Sequence, residues 1–340
     1  MQWPTDLQNI DSRRRQLITA ATLAPMGIVA AGLPGRSRAA ITFPTRSLTV
    51  ISPFPPGGLN DTSARAVAKG LQAELGHTAI VENRPGAGTM IALEHLARQP
   101  ADGHTILICG DTNMAVMPHL QRNLSFSLEK DFAPITLLVV APAVLIVRPG
   151  LKANSVQELI ALAKVQPLKL SYASAGNATP PHMIGELFKL RAGVNISHVP
   201  FKGASEGLLN VMGDHVDFMF IDLASASAQV KSGKARALAV TTLTRSKFLP
   251  ELPTVAESGL PGFEGRAWQG AIARNGTPPE IIAMLNRAIV KGMARPEIGG
   301  VYEGQGAALN TSTPEQFAAM IADEREKAGK LIKAAGIELG

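Results

Sequence analysis

Two stretches of this 340-residue chain concentrate backbone N–H donors where a strand hands over to a helix. The first is Pro53-Phe54-Pro55-Pro56-Gly57-Gly58-Leu59-Asn60-Asp61, and the second is Ser174-Ala175-Gly176-Asn177-Ala178-Thr179-Pro180-Pro181-His182. Proline has no N–H, so donation in the first is confined to Gly57, Gly58, Leu59, Asn60 and Asp61. In the second it is confined to Gly176, Asn177, Ala178, Thr179 and His182. Unpaired N–H groups at a helix start, reinforced by the helix dipole, hold anions, and glycine lets backbone approach a ligand closely. Such charge-assisted bonds are worth about 1.5–3 kcal/mol each, so a few give roughly micromolar affinity. The chemistry is capture of a small anion without covalent change. Both loops also read as ordinary capped helix starts, with Thr179 as the N-cap and Asp61 complementing the dipole. A negative Asp61 beside a bound anion makes sense only if its carboxylate faces away and orders the loop.

Weaker candidates follow other strands: Thr112 and Asn113 after Cys109, Lys202 after Phe201, and Asp222 after Ile221. Each reads equally well as a polar loop residue, and Lys202 as the partner of a surface carboxylate. Nothing in the pattern supports turnover. GxSxG, HExxH and Walker motifs are absent, and Gly86-Ala87-Gly88 opens a GxGxxG-like turn whose sixth position is Ile91. The seven histidines show no i,i+4 pairing, so no metal or cofactor is expected. The reading is a binding protein rather than an enzyme, with a hydrolase assembled from distant residues as the lesser alternative.

Alternating strand and helix patterns position these loops, the signature of an α/β fold. Leu48 to Ile51 reads as a strand, and Ala64, Val67, Ala68, Leu71 and Leu75 mark one face of the helix after it. Strands near 79–82 and 105–109 with a helix at 90–98 complete a βαβαβ run, which predicts parallel strands. Two similar passages then mark where the chain leaves one lobe and returns. One is the strand Val139 to Arg148 followed by the capping box Ser155-Val156-Gln157-Glu158; the other is Trp268 to Ala273 followed by Thr277-Pro278-Pro279-Glu280. The expected division is lobe 1 at 41–141 plus 268–340 and lobe 2 at 142–267. Lobe 2 is expected to hold strands at 168–174, 198–200, 217–221 and 236–241, and a last helix opens at Thr313.

The N-terminus carries an address. Arg13-Arg14-Arg15 precedes a modestly apolar stretch from Leu17 to Leu33, followed by the small-residue site Ser37-Arg38-Ala39-Ala40. This order predicts a secretory signal over 1–39, Tat-like or Sec-type, and a soluble periplasmic protein beginning near Ala40. Five arginines against two aspartates in that segment hold half of the formal charge of +6. No basic run occurs in the rest and only 4% of residues are aromatic, which excludes a nucleic-acid face. The single Cys109, in an apolar run, rules out an internal disulfide and reads as a small buried hydrophobe.

The two loops, together with Val81-Glu82-Asn83-Arg84-Pro85-Gly86-Ala87-Gly88, His198-Val199-Pro200-Phe201-Lys202-Gly203, Gly233 to Val240 and Leu252-Pro253-Thr254, resemble the Bug family in order along nearly the whole mature chain. These are solute receptors of tripartite tricarboxylate transporters. The resemblance implies a two-lobe type II periplasmic-binding-protein fold, with two mixed sheets flanked by helices around a central cleft. It also implies that main-chain amides and ordered waters grip a carboxylate, from Phe54, Gly57, Gly58, Asn60 and Asp61 on lobe 1 and Asn177, Ala178, Thr179 and His182 on lobe 2. Implied partners are a small carboxylate ligand and a membrane permease, or a membrane sensor in a signalling role; a monomer is expected. Ala178 stands where the family commonly has glycine, Phe201 replaces a frequent tyrosine, and Pro180 and Pro181 are unusual.

Overall fold

The computed structural model describes residues 42–121, 124–303 and 306–338. The signal segment read over 1–39 lies outside the described residues. The first half of the fold opens with β1 (Leu48–Ser52), α1 (Leu59–Leu75), β2 (Ala79–Asn83), α2 (Met90–Ala97) and β3 (Thr105–Gly110). β1 pairs in parallel with both β2 and β3, as right-handed crossovers through α1 and α2 require. α1 buries Ala64, Val67, Ala68 and Leu71 at helical spacing and ends at Gly76, whose φ of 70° lets its N–H return to the Gln72 carbonyl. A π-helical turn at Thr112–Val116 follows β3 and leads into α3 (Met117–Leu120) and α4 (Leu128–Asp131).

β4 (Phe132–Val147) is sixteen residues long and joins the two halves of the sheet. It begins well before the Val139 start read from sequence. Pro134 and Pro142 disguise it, because proline normally marks an edge or a bulge, and register shifts do occur between Pro134 and Thr136 and between Leu137 and Val139. Phe132 to Pro142 pairs antiparallel with β9 (Arg266–Arg274). From Ala143 the same strand pairs instead with β7 (Phe218–Asp222) and β8 (Arg236–Val240). The partners change at the Pro142–Ala143 step.

Between β4 and β9 run α5 (Val156–Val165), β5 (Ser171–Ser174), α6 (Pro180–Ala192), β6 (Ser197–Pro200), α7 (Ala204–Met212), β7, α8 (Leu223–Lys231) and β8. The chain closes with α9 (Pro279–Met293), α10 (Pro296–Glu303), β10 (Ala308–Leu309) and α11 (Pro314–Ala335). The main strand order is β2-β1-β3-β9-β4-β7-β5-β6. β5 is parallel to β6 and β7, whereas β9 is antiparallel to both β3 and β4, so each half is mixed.

Helices cover both faces of each half, and four apolar clusters fill the layers. Val50, Val67 and Leu285 centre one, and Leu93, Trp268 and Phe317 another, both in the first half. Phe188, Phe220 and Phe263 centre the third, and Ile146, Met219 and Ile221 the fourth, both in the second half. Packing is close enough for glycine to matter where α1 meets α9. A Cβ on Gly292 would lie 2.5 Å from the Gly70 Cα.

Thr241 ties the chain segments that cross between the halves. Its Oγ1 accepts the Ala143 N–H at 3.0 Å and donates to the Gly265 carbonyl, while the Gly265 N–H returns to the Thr241 carbonyl at 2.9 Å. The result is an α/β fold of two mixed half-sheets, flanked by helices, around a cleft.

Candidate functional site

The carboxyl ends of β1, β3, β5 and β7 open onto one cavity of about 420 Å³, lined from both half-sheets. This is where open α/β sheets bind ligands, and the volume suits a small molecule. Phe54, Gly58 and Asn60 reach it from the first loop, and Thr179 and Pro181 from the second. Pro142 and Ala143 line it at the crossing step, so the cavity touches the point where β4 changes partners.

The first loop is held by Asp61. Its Oδ2 accepts the Gly57 N–H at 3.1 Å and Arg65 Nε at 2.9 Å, and its Oδ1 accepts Asn83 Nδ2 at 3.0 Å. Burial would raise this carboxyl, but the bonds from Arg65, Asn83 and Gly57 outweigh it and hold it below the usual carboxylate range. Gly57 takes a φ of 97°, a left-handed conformation that favours glycine, so its N–H can turn back to Asp61. Gly58 is ordinary extended backbone, with φ of −88° and ψ of 175°, and a Cβ there would meet nothing within 4 Å. The α1 start is therefore presented to the cavity by Gly58 and Leu59. The Asn60 amide is used within the fold, accepting from Ser52 Oγ at 3.0 Å and donating to the Ile108 carbonyl at 3.5 Å.

The second loop rests on a histidine pair. His182 and His198 stack with ring centroids 4.1 Å apart. His182 Nδ1 lies 3.1 Å from the Ala178 nitrogen and accepts its N–H, which places the ring proton on Nε2. Ser174 Oγ sits 2.6 Å from His198 Nε2 and also accepts the Gly176 N–H at 3.1 Å. Thr179 Oγ1 donates to the Gly176 carbonyl at 2.6 Å. Burial lowers both imidazoles, His198 to about 4, with the neighbouring His182 adding to the effect on His198. Both rings are therefore neutral at physiological pH. Ala178 has a φ of 62°, in the left-handed region, which explains why glycine suits this position better.

Of the residues nominated from sequence, Phe54, Gly58, Leu59, Asn60, Thr112, Asn113, Thr179, Lys202 and Asp222 line the same cavity. Gly57, Asp61, Asn177, Ala178 and His182 do not. The Gly57 and Ala178 N–H groups are already bonded to Asp61 and His182, and Asn177 is exposed. Asp222 caps α8, with Oδ1 accepting the Ser225 N–H at 2.9 Å and Oδ2 accepting the Ser225 hydroxyl at 2.8 Å. The exposed Lys202 ammonium forms no ion pair among the described residues. The sequence reading passed over Asp111, Trp268 and Gln269, which also line the cavity. Asp111 directly follows β3, and the rule that ligands sit beyond strand carboxyl ends was the signal for it.

Ser174 and His198 have the spacing of a nucleophile and its base. Ser174, however, is fully buried, does not line the cavity, and its hydroxyl serves the loop backbone. The Cys109 thiol is fully buried against the Gly270 carbonyl, and burial pushes it up, away from the reactive thiolate. Among the described residues no cluster of three or more His, Cys, Asp or Glu is arranged to hold a metal, and no helix is long and apolar enough to cross a membrane.

Comparison with known proteins agrees with this geometry. BugT of Bordetella pertussis is 34% identical over 299 residues, covering 88% of this chain and 92% of BugT. The solved structure described as R. palustris Rpa4515 with adipate is 32% identical, with a TM-score of 0.80, covering 87% of this chain and 99% of that one. MatC from Rhodopseudomonas palustris with bound malate is 28% identical, with a TM-score of 0.76, covering 85% of this chain and 100% of that one. Residues 63–337 match the family described as tripartite tricarboxylate transporter family receptor. With that match spanning most of its length, this chain belongs to the tripartite tricarboxylate transporter receptor family, the Bug/TctC receptors.

Proposed function

We propose that this protein is an extracytoplasmic receptor that captures a small carboxylate by closing two lobes and delivers it to a membrane permease, without turnover. One observation carries the reading: helix starts from both half-sheets, at Gly58 and Thr179, line a single cavity that also contains the crossing step of β4. The first turn of α1 carries N–H groups without an intrahelical partner, at Gly58 and Leu59 beside the cavity. On the other side Pro180 and Pro181 have no N–H and the Thr179 N–H returns to the Gly176 carbonyl at 3.4 Å, so the α6 start contributes its dipole and its wall rather than free donors. Lys202 at the same cavity adds a positive charge that meets no carboxylate among the described residues.

In this reading 43–141 with 268–338 move as one lobe and 142–267 as the other. The hinge lies at Pro142–Ala143 and near Gly265, joined by Thr241. Hinge residues are few and sit at element ends, which fits a bend where β4 exchanges β9 for β7 and β8. The twin-arginine segment supports export.

Dicarboxylates are the first probes, because similar structures hold adipate and malate. Adipate, malate, an aromatic acid and an uncharged amide control are compared by thermal shift and calorimetry. Saturation near a hundred times Kd is expected to stabilise the protein by about 2.7 kcal/mol, and small-angle scattering should show a smaller radius of gyration. Gly58→Val is the sharpest variant, since a Cβ there meets nothing within 4 Å, so the fold accepts the added bulk at a position that lines the cavity. No shift with any acid, or full affinity in Gly58→Val, overturns the proposal.

A further inference from the structure

We propose that the cleft takes up one proton together with its carboxylate guest, and that Asp111 holds it. The inference rests on the carboxylate-receptor reading above and adds a proton-linked, specificity-determining residue to the same site.

Asp111 follows β3 and opens the π-helical turn. With Pro180 and Ile184 it lines two adjoining spaces, the cleft and a second cavity of about 530 Å³ between α6 and α11. Its Oδ1 accepts the Thr112 N–H at 2.8 Å. Its Oδ2 is enclosed and makes no well-aligned hydrogen bond among the described residues, a rare condition for a buried polar atom, although the Trp268 backbone N–H lies near enough to oppose the rise in its pKa. Trp268, which is 1% exposed and lines the cleft, likewise encloses an unpartnered Nε1. An anion-binding cavity bordered by an unused carboxyl oxygen is a contradiction if that carboxyl is charged. A proton on Oδ2 resolves it.

Among the described residues the surrounding charges leave no cation to neutralise Asp111 instead. On α11, Glu324 is bonded to Arg266 at 3.3 Å and to Lys327 at 3.5 Å, and Lys330 to Glu326 at 2.6 Å. Arg325 is spent on the Met114 carbonyl and on Glu129, and Arg266 also meets Glu264 at 3.5 Å. On α6, Arg191 donates to the Pro261 carbonyl. Across the cleft stand Lys202, exposed, and Asp222, engaged as a cap. Burial, reinforced by the negative Glu324, pushes the Asp111 carboxyl up to about 7.

A charged Asp111 would repel an arriving carboxylate at close range. A protonated Asp111 carries no charge, so that repulsion is removed; the enclosed Oδ2 acts on the guest through charge rather than by touching it. Guest and proton therefore favour each other, and the coupling is reciprocal. The proton comes from solvent and remains on Asp111 while the guest is bound; no covalent bond changes.

The test is calorimetric titration of the whole protein with adipate and with malate between about pH 6 and about pH 9, in two buffers of different ionisation enthalpy. Up to one proton should be taken up per acid bound above pH 7, with affinity weakening by up to about tenfold per pH unit. Asp111→Asn keeps an acceptor for Thr112 and is permanently uncharged; its proton count should fall to zero and its pH slope flatten. Carbon-13 NMR of the aspartate carboxyls reads the same group without ligand, where a midpoint near 7 is expected. Binding without proton uptake, uptake that survives in Asp111→Asn, or an Asp111 midpoint below about 5 overturns this inference alone. If neither acid binds at pH 6, the receptor reading falls and takes this inference with it.

Discussion

Asp61 Oδ2 accepts the Gly57 N–H at 3.1 Å, closing the first loop on itself before any guest arrives. The acid that looks misplaced beside the proposed anion site is thus the clamp that shapes the loop. Its charge is already used by Arg65 and Asn83, and it does not line the cavity.

Removing that clamp should loosen the loop. Asp61→Ala removes the acceptor of the Gly57 N–H and of Arg65 and leaves Asn83 only its bond to the Phe54 carbonyl, with an expected stability loss of about 1–3 kcal/mol and weaker adipate binding. The carboxyl is held below its ordinary value, so its stabilising contribution is present above about pH 4 and is lost as pH falls through its folded value. Urea melts of wild type and variant should converge in acid. Parallel curves would show that Asp61 does not act through its charge.

The stacked histidines make a second acid-sensitive point. Both are lowered by burial, so the neutral rings favour the fold above the ordinary imidazole value near 6.5. That contribution is lost as pH falls toward about 4, the His198 value. A loss on the order of 1 kcal/mol from this pair is expected, discounted because the His198 ring is partly solvated. Protonated His182 could no longer accept the Ala178 N–H. Thermal melts at about pH 7 and about pH 4.5, with His198→Asn as the less sensitive comparison, check it.

Thr241→Val tests the tie between the crossing strands. The replacement keeps the shape but strands the Ala143 N–H and loses the bond to the Gly265 carbonyl. A cost of about 1–3 kcal/mol is expected, with a larger spread of open and closed forms in small-angle scattering. Unchanged stability would show that water replaces the hydroxyl.

Gly292→Ala serves as the opposite control. Its Cβ would press on the Gly70 backbone at 2.5 Å, so α1 and α9 must separate at a cost of about 1–3 kcal/mol. The residue is remote from the cleft lining, and adipate affinity in the folded variant should be retained. A parallel loss of affinity would mean that the α1 start moves with the helix.

Much of the architecture was legible because it is local. The Leu48 to Ile51 run, the helical spacing of Ala64, Val67 and Leu71, and the caps at Ser155 and Thr313 each depend on residues a few positions apart. Gly58 and Thr179 were found in the same way, from strand–loop–helix grammar and the gaps that proline leaves among donors. Gly57 and Ala178 were misleading as donors, because their availability depends on left-handed turns that aim each N–H at a side chain four residues on.

The sequence alone therefore determined the alternation of strands and helices and the two strand-to-helix loops, since periodicity, proline and capping act over a single turn. Tertiary structure decided which amides stay free, where β4 changes partners, and what surrounds Asp111. The Trp268 backbone N–H and the Glu324 charge that act on Asp111 lie more than a hundred residues away along the chain. Burial and charge at a point are sums over everything packed around it, and no window of sequence contains that sum.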